Sequence, residues 1–252
     1  MGEFFGVTAS NFSEQVAILL NWSDGALFAI WETVYTTAIA TFFAYLLGLP
    51  LGVLLVAGEE GGVLPLPRPL MQMINTVVNL LRSVPFLILM VVVVPLSRFL
   101  VGTSVGTVAS IPPLIIAAFP FVARLVEASI REVDKGVIEA AQAMGASPLQ
   151  IITKVMIPES RPSLISGFTT ALITILSYGA MSGAIGGGGL GKLALNYGHA
   201  RRWRFILWVS VILLVILVQI IQSVGTHFAV KLDKRITNQK RARRNARRKV
   251  ES

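Results

Sequence analysis

The sequence predicts an all-α, polytopic membrane protein with about five transmembrane helices. Apolar residues make up 54% of its 252 residues and charged residues only 14%, whereas soluble domains carry about 25% charged residues. The mean hydropathy is +0.72. Five stretches reach the length of about 20 mainly apolar residues that a helix needs to cross a bilayer. This composition argues against a soluble globular protein.

The five predicted spans differ in how clearly the sequence defines them. Glu32 is the only charge in the first span, and Pro85 predicts a kink in the second. The Pro112-Pro113 pair leaves the division of the third span open. The fifth span is the most uniformly apolar. Together the spans form a transmembrane domain over residues 26–230, and they cover residues 26–57, 70–96, 105–126, 164–185 and 205–230.

The distribution of Lys and Arg predicts the orientation. Residues 1–25 contain neither residue, whereas residues 231–252 contain ten of them and two acids, which is +8 of the net charge of +9. Positive charge collects on the cytoplasmic side of membrane proteins. The N-terminal segment, residues 1–25, is therefore expected outside and the basic tail, residues 231–252, in the cytoplasm. Four basic residues argue the other way, because this orientation leaves them outside: Lys192, Arg201, Arg202 and Arg204.

The basic tail and the scarcity of metal-binding side chains exclude several functions. The tail has no apolar face, so we expect a disordered segment that contacts anionic lipid. Nucleic-acid binding is not expected, since the positive charge lies in an appended tail and not on a folded surface. The absence of cysteine excludes disulfides and thiol catalysis. With only two histidines, we expect no metal site.

Residues 127–163 are too polar to cross a membrane, and within them residues 131–160 show helical periodicity. Apolar residues recur at three- and four-residue steps on both sides of Gly145. Ser147 followed by Pro148 is typical of a helix start. We therefore predict two short amphipathic helices that meet at Gly145, where glycine permits a positive φ. The pattern alone leaves two interpretations open: a helix pair lying on the membrane, or a docking site for a cytoplasmic partner.

The same segment carries a signature that resembles a known family. Glu139-Ala140-Ala141, three residues, Gly145, nine residues and Val155-Met156-Ile157-Pro158 resemble the EAA motif of bacterial ABC-importer permeases. That motif reads Glu-Ala-Ala, three residues, Gly, nine residues, Ile, any residue, Leu and Pro. The two departures, at Val155 and Ile157, keep the apolar character. The resemblance extends over about residues 26 to 230, and residues 177–198 resemble the methionine-uptake branch of these permeases.

The resemblance implies a permease subunit of an ATP-driven importer in the bacterial cytoplasmic membrane, for methionine or a related amino acid. Such a subunit is not itself an enzyme: ATP and magnesium are bound by a partner ABC ATPase subunit. The other implied partners are a second copy of the chain, an external substrate-binding protein and the lipid membrane. The alternative is a channel or secondary transporter that works without an ATPase. The residues expected to couple to the ATPase are Glu139, Ala140, Ala141, Gly145, Ile157 and Pro158.

Polar residues within the predicted spans are candidates for the translocation path. Helix-to-helix hydrogen bonds explain most of them equally well. Arg82 lies near the cytoplasmic end of its span, so its long side chain could instead extend to the membrane surface. The candidates for the path are Asn75, Asn79, Arg82, Ser177, Tyr178 and Ser182.

A glycine-rich segment follows the fourth predicted span. The spacing of its glycines and of Lys192 matches that of a phosphate-binding loop. However, Leu193 occupies the position where a Ser or Thr hydroxyl must bind magnesium. ATP binding is therefore not expected there. Two interpretations stay open: a flexible external loop whose glycines let the backbone pack closely, or an external gate or contact for the binding protein. The residues concerned are Gly186, Gly187, Gly188, Gly189 and Gly191.

Overall fold

The computed structural model describes residues 9–232, and all regular elements within that range are helical. The predicted tail lies outside the described residues apart from its first two. Short 3-10 turns precede α5 and follow α9, and π-helical turns cover Ile152–Met156 and Leu193–Ala200. The α-helices are α1 (Ala9–Leu20), α2 (Ala26–Ala57), α3 (Arg68–Ser83), α4 (Phe86–Val101), α5 (Ile111–Arg131), α6 (Lys135–Ala143), α7 (Pro148–Ile151), α8 (Ile157–Glu159), α9 (Arg161–Ser182), α10 (Gly189–Lys192) and α11 (Arg204–Leu232).

Four helical stretches of the described chain are long and apolar enough to cross a membrane. They are Ala26–Ala57, Val108–Arg131, Arg161–Ile185 and Arg204–Leu232. A fifth crossing would be made by α3 and α4 together. The all-α, polytopic class and the number of spans are therefore confirmed.

The second predicted span is broken instead of kinked. α3 and α4 meet at an angle of 105°. Val84 between them is extended, with φ −79° and ψ 124°, because the ring of Pro85 disfavours a helical conformation in the residue before it. Pro85 also lacks the N–H that would continue the helical hydrogen bonds. The prediction of one kinked helix over residues 70–96 is therefore wrong.

The third predicted span begins later and ends later than expected. Pro112 and Pro113 lie in the first turn of α5, where a missing N–H costs no helical hydrogen bond. They start the helix and do not divide it. The helix then runs past the predicted end at Val126 to Arg131. The polar residues in this last part can be helical because they form ion pairs with one another and with a neighbouring loop, as described below.

α2 and α5 form the centre of the fold through small residues. Ala40 and Ala44 are fully buried on α2, and Gly48 continues the same face. A Cβ on Gly48 would lie 2.8 Å from the carbonyl oxygen of Phe119 on α5, so glycine lets the two helices approach closely. Such small-residue contacts are how helices associate where lipid removes the hydrophobic driving force. α9 packs against both helices and also against α11.

The N-terminal segment contains a helix that the sequence did not predict. α1 contacts both α2 and α11. The ring of Phe12 packs edge-on against Phe205 at the start of α11, with 5.1 Å between ring centroids. α1 therefore lies at the same end of the molecule as the starts of α2 and α11.

Candidate functional site

The segment between α5 and α9 folds as the predicted pair of short helices. Asp134 precedes α6, and its carboxylate accepts a hydrogen bond of 2.7 Å from the backbone N–H of Gly136. Gly145 follows α6 with φ +78°. Its N–H donates to the carbonyl of Gln142 at 2.9 Å. The left-handed glycine predicted at this turn is therefore confirmed.

The second helix of the pair starts with a complete capping box. The Ser147 hydroxyl accepts from the N–H of Gln150, and the Gln150 amide oxygen accepts from the N–H of Ser147 at 2.9 Å. This reciprocal arrangement satisfies two N–H groups that the start of a helix would otherwise leave free. Pro148 occupies the first helical position. The helix start predicted at Ser147 and Pro148 is confirmed.

The helix pair has one face in the protein core and one face in solvent. Ala141, Ile151 and Met156 are buried in the main hydrophobic cluster. On the opposite face Met144 is 81% exposed and Leu149 is 70% exposed. Two large apolar side chains thus project from the turn around Gly145 into solvent. A surface of this kind is typical of a site that a partner covers.

The six residues predicted to couple to an ATPase divide between these two faces. Glu139, Ala140 and Gly145 are exposed, Ala141 is buried, and Ile157 and Pro158 are half-buried. The exposed residues could contact a partner directly, while the buried ones fix the helix pair to the transmembrane core.

A polar cavity of about 540 Å³ lies between α6 and the loop that follows α2. Charges of both signs line it, including Glu59, Arg131, Lys135 and Glu139. Arg131 at the end of α5 forms an ion pair with Glu59 and a second with Glu127, at 2.9 Å. The helix pair therefore lies beside a set of charges that joins α5 to the loop after α2.

The charges continue along α5 to Arg124, which the sequence analysis did not single out. Arg124 donates 2.6 Å to Glu127, and its other terminal nitrogen donates 2.9 Å to Asn75 and 2.9 Å to Asn79 on α3. We define Arg124, Glu127, Asn75 and Asn79 as the charged junction. One signal for it was present in the sequence, since Arg124 lies inside the predicted third span and charges within spans are often functional.

The remaining path candidates do not converge in this chain. Arg82 is exposed near the end of α3. The hydroxyl of Ser177 donates to the carbonyl of Ile173 one turn earlier, and that of buried Ser182 donates to the carbonyl of Gly179. The ring of Tyr178 stacks on Phe86, with centroids 4.4 Å apart. Of the six, only Asn75 and Asn79 meet, at Arg124.

The glycine-rich segment forms short helical turns that hydrogen-bond to α2, and is not the irregular loop that one interpretation expected. The N–H of Gly189 donates 2.8 Å to Glu32 on α2, and the N–H of Leu190 donates 2.9 Å to the hydroxyl of Thr33. Glu32 also accepts a hydrogen bond from the hydroxyl of Thr107. Glu32 thereby joins α2, the loop before α5 and the glycine segment. The sequence does not predict this role, although it shows Glu32 as the only charge in its span.

The glycines allow the close backbone packing that one of the two interpretations required. A Cβ on Gly188 would overlap the hydroxyl of Thr107 and lie 2.8 Å from Glu32. Gly186 and Gly189 have φ of +91° and +72°. Gly187, Gly189 and Gly191 are buried, whereas Gly186 and Gly188 are half-buried. A role as gate or as contact for a binding protein stays a prediction for all five.

Several donors that a phosphate-binding loop would offer are already occupied in this segment. Glu32 and Thr33 accept the hydrogen bonds of the two N–H groups at the start of α10. Lys192 donates 3.0 Å to Asp24. Burial lowers the pKa of Lys192, but the hydrogen bond and charge of Asp24 together with the charges of Tyr197 and Glu32 outweigh burial, so the pKa is raised. An anion at this position would have to displace a carboxylate.

Comparison with known proteins identifies the family. Residues 48–238 match the family described as the inner membrane component of binding-protein-dependent transport systems. The chain belongs to this family. A relative from Vibrio cholerae, the probable D-methionine transport system permease protein MetI, is 49% identical over 84% of this chain and 94% of its own. The corresponding protein of Pasteurella multocida is 44% identical, over 81% and 94%.

Solved structures agree with this assignment. A crystal structure of the inward-facing MetNI methionine ABC transporter contains a chain that is 41% identical, with a TM-score of 0.81, over 83% of this chain and 96% of that one. The crystal structure of an amino acid ABC transporter with histidines matches at 17% identity and a TM-score of 0.69, over 89% and 99%. The second likeness shows the fold alone. The prediction of the permease family from the EAA motif is confirmed.

Proposed function

We propose that this chain is the permease subunit of an ATP-driven importer that carries methionine across the bacterial inner membrane. The observation that supports it most directly is the exposed helix pair with the EAA motif, which the fold attaches firmly to the spans. The choice of methionine rests on the relatives named as methionine permeases, which are 44–49% identical over most of both chains.

A partner subunit would bind and hydrolyse ATP. In the glycine segment of this chain the N–H groups of Gly189 and Leu190 donate to Glu32 and Thr33, which argues against a phosphate site there. The related MetNI protein is an ABC transporter, the class in which ATP and magnesium bind to a separate ATPase subunit. Magnesium and ATP are therefore cofactors of the importer and not of this chain.

The helix pair would transmit the conformational change of the ATPase to the spans. Its exposed face, with Met144 and Leu149 at the tip, would enter a cleft of the ATPase subunit. Its buried face, with Ala141 and Met156, packs in the cluster that holds α2, α5 and α9 together. A displacement of the helix pair would therefore displace the spans by a similar amount, because packed cores deform little. With two copies of the chain, such movement switches the path between inward- and outward-facing, which is alternating access.

The assembly would contain a second copy of this chain, two ATPase subunits and an external substrate-binding protein. The family description itself specifies dependence on a binding protein. The positive-inside rule supports an N-terminus outside and a tail in the cytoplasm. In that orientation Glu32 and the glycine segment lie at the outer end, where they would form a gate, and the coupling residues lie at the inner end.

Methionine uptake in cells that lack this subunit tests the proposal. Uptake of labelled methionine at low external concentration should fall and should return when the gene is restored. An ATPase subunit should copurify with the tagged chain in stoichiometric amount. Normal methionine uptake, with loss of another solute, would contradict the substrate but not the importer class. Transport by the purified chain without an ATPase would instead support a channel or secondary transporter.

A further inference from the structure

The two charged residues of the junction lie on α5, within a stretch that is long and apolar enough to cross the membrane. Arg124 and Glu127 are one turn apart on α5, and their side chains are only 19% and 11% exposed. Charged groups within a membrane-spanning helix are costly and are kept mainly where they act on a substrate or an ion. Neither residue lines the cavity beside α6, although Glu127 forms an ion pair with Arg131, which does.

The donors of Arg124 are not all used. One terminal nitrogen donates to Glu127 and the other to both amide oxygens, of Asn75 and Asn79. The Nε atom is buried and has no hydrogen-bond partner among the described residues. A buried donor without a partner costs free energy. An acceptor that bound it would break no existing hydrogen bond, although the groups that now cover Nε would have to move aside.

The amide oxygens of the junction are oriented toward Arg124 and border a polar groove. The side-chain N–H of Asn75 donates 3.1 Å to the carbonyl of Met71, which turns its oxygen toward Arg124. A groove of about 500 Å³ runs along α3 past Asn75 and Asn79, and Gln72, Thr76 and Glu59 also line it. A hydrated solute could therefore reach the two asparagines of the junction from the loop after α2 through polar surroundings. Arg124 does not itself line the groove but donates to both amide oxygens.

We infer that the charged junction is a transit site for the two charged ends of a zwitterionic amino acid. This inference rests on the proposed function. The carboxylate of the solute would accept from Arg124, including its free Nε, and its ammonium would donate to Glu127 and to an amide oxygen released by Arg124. No bond of the solute is broken. The two amides suit this exchange because their oxygens accept equally from guanidinium and from ammonium.

Paired charges suit a transit site better than a single charge does. In the empty state Arg124 and Glu127 compensate each other, so the site does not hold an isolated buried charge. Glu127 also accepts from Arg131 at 2.9 Å and 3.2 Å, which holds its carboxylate in place while Arg124 changes partner. The competing interpretation is a fixed lock between α3 and α5, and the experiment below distinguishes the two.

The test uses the complete importer, with its ATPase and binding protein, reconstituted in lipid vesicles. The measured quantity is methionine taken up per ATP hydrolysed. For Arg124→Gln we expect ATP hydrolysis to keep its stimulation by the loaded binding protein, while uptake per ATP falls at least about tenfold, the scale of one hydrogen bond to a charged group. Arg124→Lys should recover part of the loss. Arg98→Gln, at an exposed arginine near the end of α4, is the matched control and should resemble the wild type.

Three results would overturn the inference. Unchanged uptake per ATP in Arg124→Gln would exclude a transit role. Loss of assembly or of ATPase stimulation together with transport would indicate a fixed lock. If Arg124→Gln does not fold, Asn79→Ala takes its place, because it leaves both charges intact. Asn79→Ala should also lower uptake per ATP, and unchanged uptake per ATP in that variant would exclude the transit role. A wild-type importer that does not carry methionine would instead contradict the proposed function.

Discussion

Glu139 is exposed on α6, and no hydrogen bond or ion pair of its side chain is found among the described residues. It lines the cavity beside α6. Glu139→Lys should therefore change the stability of the permease by less than about 0.5 kcal/mol, as for other surface substitutions. If a partner covers this face, the reversed charge should nevertheless weaken association with the ATPase. Recovery of the ATPase with tagged permease measures this effect.

Glu14→Lys supplies the control for that substitution. Glu14 is an exposed acid on α1, away from the coupling segment, and its reversal should leave the recovery of the ATPase unchanged. Equal recovery from both variants would mean that the partner does not contact Glu139.

The roles of residues that interact with their sequence neighbours could be predicted from the sequence. The roles of residues whose partners are distant in the sequence could not. Gly145 and Ser147 act through their own backbone and that of near neighbours, so a short window of sequence contains the whole reason. Arg124 instead meets two asparagines that lie 45 and 49 positions earlier. Only packing of α3 against α5 brings these groups together, and no periodicity encodes that pairing.

Among the helical elements, the glycine segment shows most clearly how sequence determines packing. Gly188 lies where a Cβ would overlap the Thr107 hydroxyl and crowd Glu32. Gly188→Ala should therefore displace one of these groups and destabilise the permease by about 1–3 kcal/mol, the cost of overpacking a tight site. Thermal unfolding of the purified protein, followed by circular dichroism, measures the loss.

Gly179 provides the comparison, because it lies within α9 and a Cβ there would meet nothing within 4 Å. Gly179→Ala should be neutral, or should stabilise α9 by up to about 1 kcal/mol through reduced backbone freedom of the unfolded chain. A melting temperature that falls equally in both variants would show that the contacts around Gly188 do not determine its identity.

The break between α3 and α4 shows why element type was predicted more reliably than element direction. Apolar length indicates a helix that could cross the membrane, and Pro85 indicates a disturbance in it. The bend of 105° depends on where the two halves find packing partners, and hydropathy carries no such information. The late end of α5 has a similar cause, since ion pairs with a distant loop make its charged last turn favourable.

At the scale of the whole molecule, the charge bias predicts the orientation in the membrane. We predict that the N-terminus is outside and the tail inside. The chain contains no cysteine, so single cysteines can be introduced without background. In intact cells an impermeant thiol reagent should label Ser10→Cys, and should label Ser252→Cys only after the membrane is opened. The reverse pattern would contradict the orientation.

The central claim is that the helix pair around Gly145 transmits ATP-driven motion to the spans. Gly145 and Gly102 are both exposed, both have φ +78°, and neither would meet an atom within 4 Å through a Cβ. Valine at either position should therefore impose the same backbone penalty, on the order of 1–2 kcal/mol. Only Gly145 lies in the proposed contact with the ATPase, whereas Gly102 ends α4.

Methionine uptake per ATP hydrolysed, compared between Gly145→Val and Gly102→Val in reconstituted vesicles, tests this claim most directly. We predict that Gly102→Val keeps the wild-type ratio. Gly145→Val should either fail to retain the ATPase or hydrolyse ATP with a ratio at least about tenfold lower, equivalent to about 1.4 kcal/mol of lost coupling. Equal, wild-type ratios in both variants would show that the segment is only a helix pair on the membrane surface, and the account of coupling would be wrong.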